Sequence, residues 1–138
     1  MSSQIITQND LKQILNQVLP PDNVDYVVSQ GTDGIWTYRK WNSGIAECWG
    51  SILVHPSITT QYGSLYIANL GATNFVNGLF TSRPNIFGSV DLAGGVGGVT
   101  FTGITSTGFS TAYVFNGQTY NATARDVYVS MHVIGTWK

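Results

Sequence analysis

A single cysteine, Cys48, is all the thiol chemistry in these 138 residues. One thiol forms no internal disulfide, and with only two histidines nothing reproduces the paired Cys/His spacing of a zinc site, so no metal and no cofactor are expected. Charge is scarce as well: Asp, Glu, Lys and Arg make up 9% of the chain, against roughly a quarter in ordinary domains. The six Lys and Arg are scattered, which leaves no patch able to neutralise several phosphates and excludes nucleic acid as an expected partner. No run approaches the ~18 apolar residues of a membrane span, so no membrane insertion is expected. The opening MSSQIITQND has no basic region followed by an apolar stretch; the expectation is a chain without a signal peptide, folded in a cytoplasm.

Apolar and aromatic residues are plentiful. Hydrophobic residues account for 43%, with seven Tyr, six Phe and four Trp, and net charge is −1, which excludes disorder. A chain of this length suits one domain and buries about two-thirds of its unfolded surface without covalent staples.

The first segment, IITQNDLKQILNQVLPP, predicts the one helix. Thr7 is placed as N-cap and Asp10 at N3, with Ile6 and Leu11 at the positions of a hydrophobic staple. Leu11, Ile14, Leu15, Val18 and Leu19 follow helical spacing and form one apolar stripe, which Pro20 and Pro21 end. A helix this short is marginal alone, so the stripe needs the domain core or other copies of itself.

Everything after Pro21 reads as strand. The expected strands are Val24–Gln30, Ile35–Trp41, Ile45–His55, Ser64–Leu70, Asn74–Phe80, Asn85–Asp91, Val99–Thr105, Thr111–Phe115, Gln118–Ala122 and Val127–Trp137. Short strands with frequent turns and no second helix predict an all-β, antiparallel sandwich or jelly roll preceded by one short helix. The division is 1–21 for the helix and 22–138 for the β domain. Asn116-Gly117 suits a two-residue hairpin that would set Tyr113 opposite Tyr120. The glycine patch AGGVGG, Ala93 to Gly98, reads as a flexible turn, because no helix follows to make it a phosphate loop.

The densest chemistry lies in YRKWNSGIAECWG, Tyr38 to Gly50. Its NSG turn predicts a hairpin with Trp36, Tyr38 and Lys40 on one face of the first strand, and Ala46, Cys48, Gly50 and Ile52 on one face of the second. Glu47 then meets Arg39 or Lys40 across the strands. Catalysis would need a second acid beside Glu47 or a histidine beside Cys48, and neither is evident in the sequence. Cys48 is therefore expected as a buried strand residue, and Trp36, Trp41, Trp49 and Trp137 as core or interface. No acid pair with the spacing of a glycosidase stands out. Asn121-Ala-Thr matches a glycosylation acceptor that means little without a secretory signal.

From Tyr26 to Gly50, and most closely from Trp36, the sequence resembles a segment near the C-terminus of bacteriophage and prophage tail-fibre structural proteins. The ending VIGTWK, Val133 to Lys138, resembles their terminal strand. The resemblance covers about a quarter of the chain. It implies a non-enzymatic, all-β head domain of the virion tail, a homotrimer that binds a host surface glycan or teichoic-type polymer beside other tail proteins. The helix stripe of Leu11, Ile14, Leu15 and Val18 would then serve oligomerisation. Trp36, Tyr38, Trp41, Glu47, Trp49 and Trp137 would organise core or interface. Receptor contacts are expected in loops on the rigid scaffold, at Tyr62 in TTQYGS and at Arg83 and Asn85 in TSRPN. The rival readings are a purely structural decoration or baseplate part, a polysaccharide-degrading tail enzyme, and a lectin unrelated to phages.

Overall fold

The computed structural model describes residues 7–18 and 24–138, with the side chains of 15–18 left aside. The N-terminal helix α1 spans Gln8–Val18. Its start is a reciprocal cap: the Thr7 backbone N–H and hydroxyl donate to the Asp10 carboxylate at 3.0 and 2.8 Å, while the Asp10 N–H donates to Thr7 Oγ1 at 3.2 Å. Two otherwise orphaned donors are satisfied at once, with Thr7 at the N-cap and Asp10 at N3 as the sequence places them. Leu11 and Ile14 are exposed. Ile6, Leu19, Pro20, Pro21 and Asp22, and the side chains of Leu15 and Val18, lie outside the described residues.

The rest is antiparallel β-structure in stacked sheets. Strands β1 (Val27–Asp33), β2 (Trp36–Trp41), β3 (Ile45–Val54), β8 (Asn85–Asp91) and β13 (Val127–Thr136) form a five-stranded sheet ordered β1-β2-β3-β13-β8. Strands β5 (Thr60–Tyr62), β6 (Leu65–Asn69), β9 (Gly97–Thr102) and β11 (Thr111–Asn116) form a four-stranded sheet ordered β5-β6-β11-β9. Two small ribbons pair β10 (Gly108–Phe109) with β7 (Thr73–Asn74), and β12 (Tyr120–Asn121) with β4 (Ser57–Ile58).

Strict alternation drives the packing. In β13 the residues Val127, Val129, Met131 and Val133 point inward and are buried, and Ala46 and Cys48 of β3 join them. Ala112 and Val114 of β11 close the core from the facing sheet. At one end an aromatic cluster fills the space: Phe75 meets Trp36, Phe80 and Phe109 edge-on at 5.9, 5.6 and 6.2 Å, and Phe109 meets Phe101 at 5.0 Å. Trp36 satisfies its indole N–H on the Asn74 carbonyl at 2.8 Å.

Three expectations are corrected. Asn74–Phe80 is not a strand: only Thr73 and Asn74 pair, and the following segment is a turn that drops Phe75, Val76, Leu79 and Phe80 into the core. Its apolar residues come in adjacent pairs around Asn77-Gly78 rather than alternating, and the Leu79 N–H closes the turn on the Val76 carbonyl. The Asn116-Gly117 hairpin does not form. Both edges of β11 are already taken by β6 and β9, so Tyr113 lies opposite Asn69 and Thr100, and Tyr120 pairs with Ile58 instead. Tyr62, placed by the sequence in a loop, belongs to β5, which turns at Gly63 and pairs back on Leu65. The glycine patch is tied at Ala93, itself at positive φ: the Tyr120 hydroxyl donates to the Leu92 and Ala93 carbonyls, and Arg125 Nη1 reaches the latter at 3.0 Å.

Candidate functional site

The β2–β3 hairpin forms with the two faces read from the sequence, and β13 pairs along the whole of β3. Trp36 is buried and Tyr38 packs against the core. The chain's last strand is locked onto the hairpin turn. Trp137 donates its indole N–H to the Trp41 carbonyl at 2.7 Å and its backbone N–H to the Gly44 carbonyl at 2.9 Å. Lys40 and Lys138 place their ammonium groups 5.4 and 5.2 Å from the Trp137 ring. The two segments that carry the family resemblance are thus one structural unit. Cys48 sits inside it, fully buried, and its thiol pKa is pushed up to about 12, chiefly by loss of solvation.

Glu47 lies opposite Arg39, yet its carboxylate meets His132, whose Nε2 is 3.2 Å from Oε2. The Arg39 guanidinium lies 5.1 Å from the Trp49 ring centre instead. Trp49 in turn takes His132 edge-on at 6.2 Å. This cluster is where the outer face of the five-stranded sheet becomes chemically distinctive. Register carries three rows of side chains across β3, β13 and β8: Trp49–His132–Phe87, then Ser51–Ser130–Ser89, then Leu53–Tyr128–Asp91. Ser51 and Ser130 share a hydrogen bond of 2.9 Å. Phe87 is 61% exposed, and Tyr128 is exposed as well. Between the aromatic row and the serine row lies an open depression of about 460 Å³.

The outer face of the four-stranded sheet differs. Tyr62, Leu65, Ile67, Tyr113 and Phe115, with Thr100 and Thr102, line a hollow of about 520 Å³ without one charged side chain. Tyr62, 72% exposed, stands at its rim. Phe115 lies over Gly98, where a Cβ would come within 2.6 Å of the ring.

The three residues expected to touch a receptor are not brought together. Tyr62 belongs to the four-stranded sheet, whereas Arg83, exposed, precedes β8 of the other sheet and Asn85 begins it. Sequence reading missed His132, Phe87 and the serine row. Alternation within each strand was visible, but a row of three serines exists only once β3, β13 and β8 are set side by side in one register. Among the described residues, no group of three or more His, Cys, Asp or Glu is placed to hold a metal ion, and no helix is long and apolar enough to cross a membrane.

No protein-family model matches the chain, and no curated protein is recognisably similar to it in sequence. Solved structures are similar in fold. An N-truncated R1-type pyocin tail fibre superposes with a TM-score of 0.56 at 13% identity, covering 94% of this chain and 96% of that one. A C-terminal fragment of the R1 pyocin fibre of P. aeruginosa gives 0.49 at 13% identity, and there the match spans 31% of the longer chain. The fold of this protein is therefore tail-fibre-like.

Proposed function

We propose that the protein is the head domain of a phage or prophage tail fibre, a non-enzymatic virion component that assembles as a homotrimer and holds a host cell-surface polymer. The observation that carries this reading is that both outer faces of the sandwich present aromatic and aliphatic side chains, where a free-standing sandwich usually alternates polar residues outward. The uncharged face of Tyr62, Leu65, Ile67, Tyr113 and Phe115 suits contact with another copy of the chain, since it can be buried without stranding a charge. The opposite face, with its serines, histidine and exposed Phe87, suits a polar ligand. The fold likeness to a pyocin tail fibre supports the same assignment.

Sedimentation of the full chain tests assembly: a trimer is expected, and a monomer over a wide concentration range overturns that part. Fluorescently labelled protein is expected to decorate intact host cells without releasing reducing sugar. Release of sugar would move the assignment to the polysaccharide-degrading enzyme, and assembly without any cell binding would move it to a purely structural part.

A further inference from the structure

Building on the receptor reading just proposed, we infer that the serine row of the five-stranded sheet is the floor of a binding trough for an uncharged saccharide lying across the strands. Ser51, Ser130 and Ser89 stand on three adjacent strands in register. Strands are spaced about 4.8 Å apart, so the three hydroxyls follow a line of about 10 Å, the reach of two linked hexopyranose rings. Each hydroxyl both donates and accepts, matching the repeated hydroxyls of a sugar chain. The flanking rows lie two residues away on either side, so walls and floor are separated by about 7 Å along the strand. Phe87, which lines the depression beside the serines, and Tyr128, exposed in the row beyond them, offer aromatic faces for the C–H surfaces of a sugar ring.

Charge decides against a phosphate-bearing polymer. The rows nearest the floor carry Asp91 at one corner, and the carboxylate of Glu47 faces His132 beside the other wall. Among the described residues the nearby guanidinium groups are engaged elsewhere: that of Arg39 lies over the Trp49 ring, and Arg125 Nη1 donates to the Ala93 carbonyl. An anionic chain laid in the trough would meet carboxylates without a dedicated cation, whereas a neutral one loses nothing.

The test is a backbone-amide NMR titration of the full chain with cellotetraose, maltotetraose and chitotetraose as neutral probes, and with poly(glycerol phosphate) as the anionic one. Perturbations centred on Ser51, Ser130 and Ser89 with a neutral probe, and none there with the polyphosphate, are expected. Ser130→Leu, which fills the floor on an exposed position, and Phe87→Ala should each weaken that binding about tenfold or more, with unchanged thermal melting. Preference for the polyphosphate, or neutral binding untouched by both variants, overturns the inference. A silent trough in a protein that still decorates host cells overturns the trough alone and leaves the receptor reading standing. Absence of cell binding by the native chain counts against the receptor reading itself.

Discussion

His132 Nε2 lies 3.2 Å from Oε2 of Glu47, a residue 85 positions earlier, and the two are partly exposed at 45% and 19% of their side chains. Solvent screens a contact of this kind, so it orients more than it stabilises. A Glu47→Ala, His132→Ala double-mutant cycle read by urea unfolding should give a coupling of about 1 kcal/mol or less. A coupling well above that would mean the pair is far drier than its exposure says. The surface pair of His55 and Asp126, at 3.0 Å, should contribute as little.

Trp36 should behave oppositely. It is buried, stacks edge-on against Phe75 and donates its indole N–H to the Asn74 carbonyl. Replacing it by alanine opens a cavity and orphans that carbonyl, at a cost of about 3–5 kcal/mol in chemical denaturation. Trp36→Phe should cost less but still lose the hydrogen bond. A Trp36→Ala protein as stable as the parent would remove the aromatic cluster from the account of the core.

Gly50 admits no side chain. A Cβ there would run into the Ile35 carbonyl, which is backbone and has little freedom to move. Gly50→Ala is therefore expected to destabilise by about 1–3 kcal/mol through forced displacement of the β1–β2 turn. At Gly34 a Cβ meets nothing within 4 Å, and a substituted residue would be strained only by the φ of +58°, so its substitution should be milder. Thermal melting of the two variants orders them.

Cys48 should be silent to thiol reagents in the native protein at pH 8 and react fully once unfolded, because burial holds it protonated. Its folded pKa, about 12, lies above the unfolded value, so its contribution to stability is complete below about pH 9 and is lost as pH rises toward 12. Cys48→Ala should flatten the alkaline limb of a stability–pH profile. Rapid labelling of the native thiol would refute the burial.

At the other end of the pH scale, the Asp10 carboxyl is held below the usual carboxylate range, first by the Thr7 backbone N–H and then by its hydroxyl. Because the folded pKa is lowered, the cap's support is present above the ordinary carboxylate pKa and fades as pH falls through the lower one. The protection of the Leu11 amide, its exchange rate taken relative to the intrinsic rate at each pH, should fall on acidification, and Thr7→Ala should reproduce that loss of protection at neutral pH.

What the sequence determined by itself was local. Thr7 and Asp10 announce a helix start because a cap needs only residues three apart, and the NSG turn announces its hairpin for the same reason. Alternation from Ile45 to Ile52 and from Val127 to Val133 assigns inner and outer faces without reference to any partner, which is why Cys48 was legible as buried. What only the tertiary structure decided was pairing between distant strands. Asn116-Gly117 has the chemistry of a tight hairpin, but β6 and β9 had already taken both edges of β11. The strand expected after Asn74 became a core plug because Phe75 and Phe80 gain more from the aromatic cluster than from a sheet edge. Glu47 chose His132 over Arg39, and three serines became a row, because β13 inserted itself between β3 and β8. Side-chain chemistry is written residue by residue, while neighbours across a sheet are set by the free energy of the whole core.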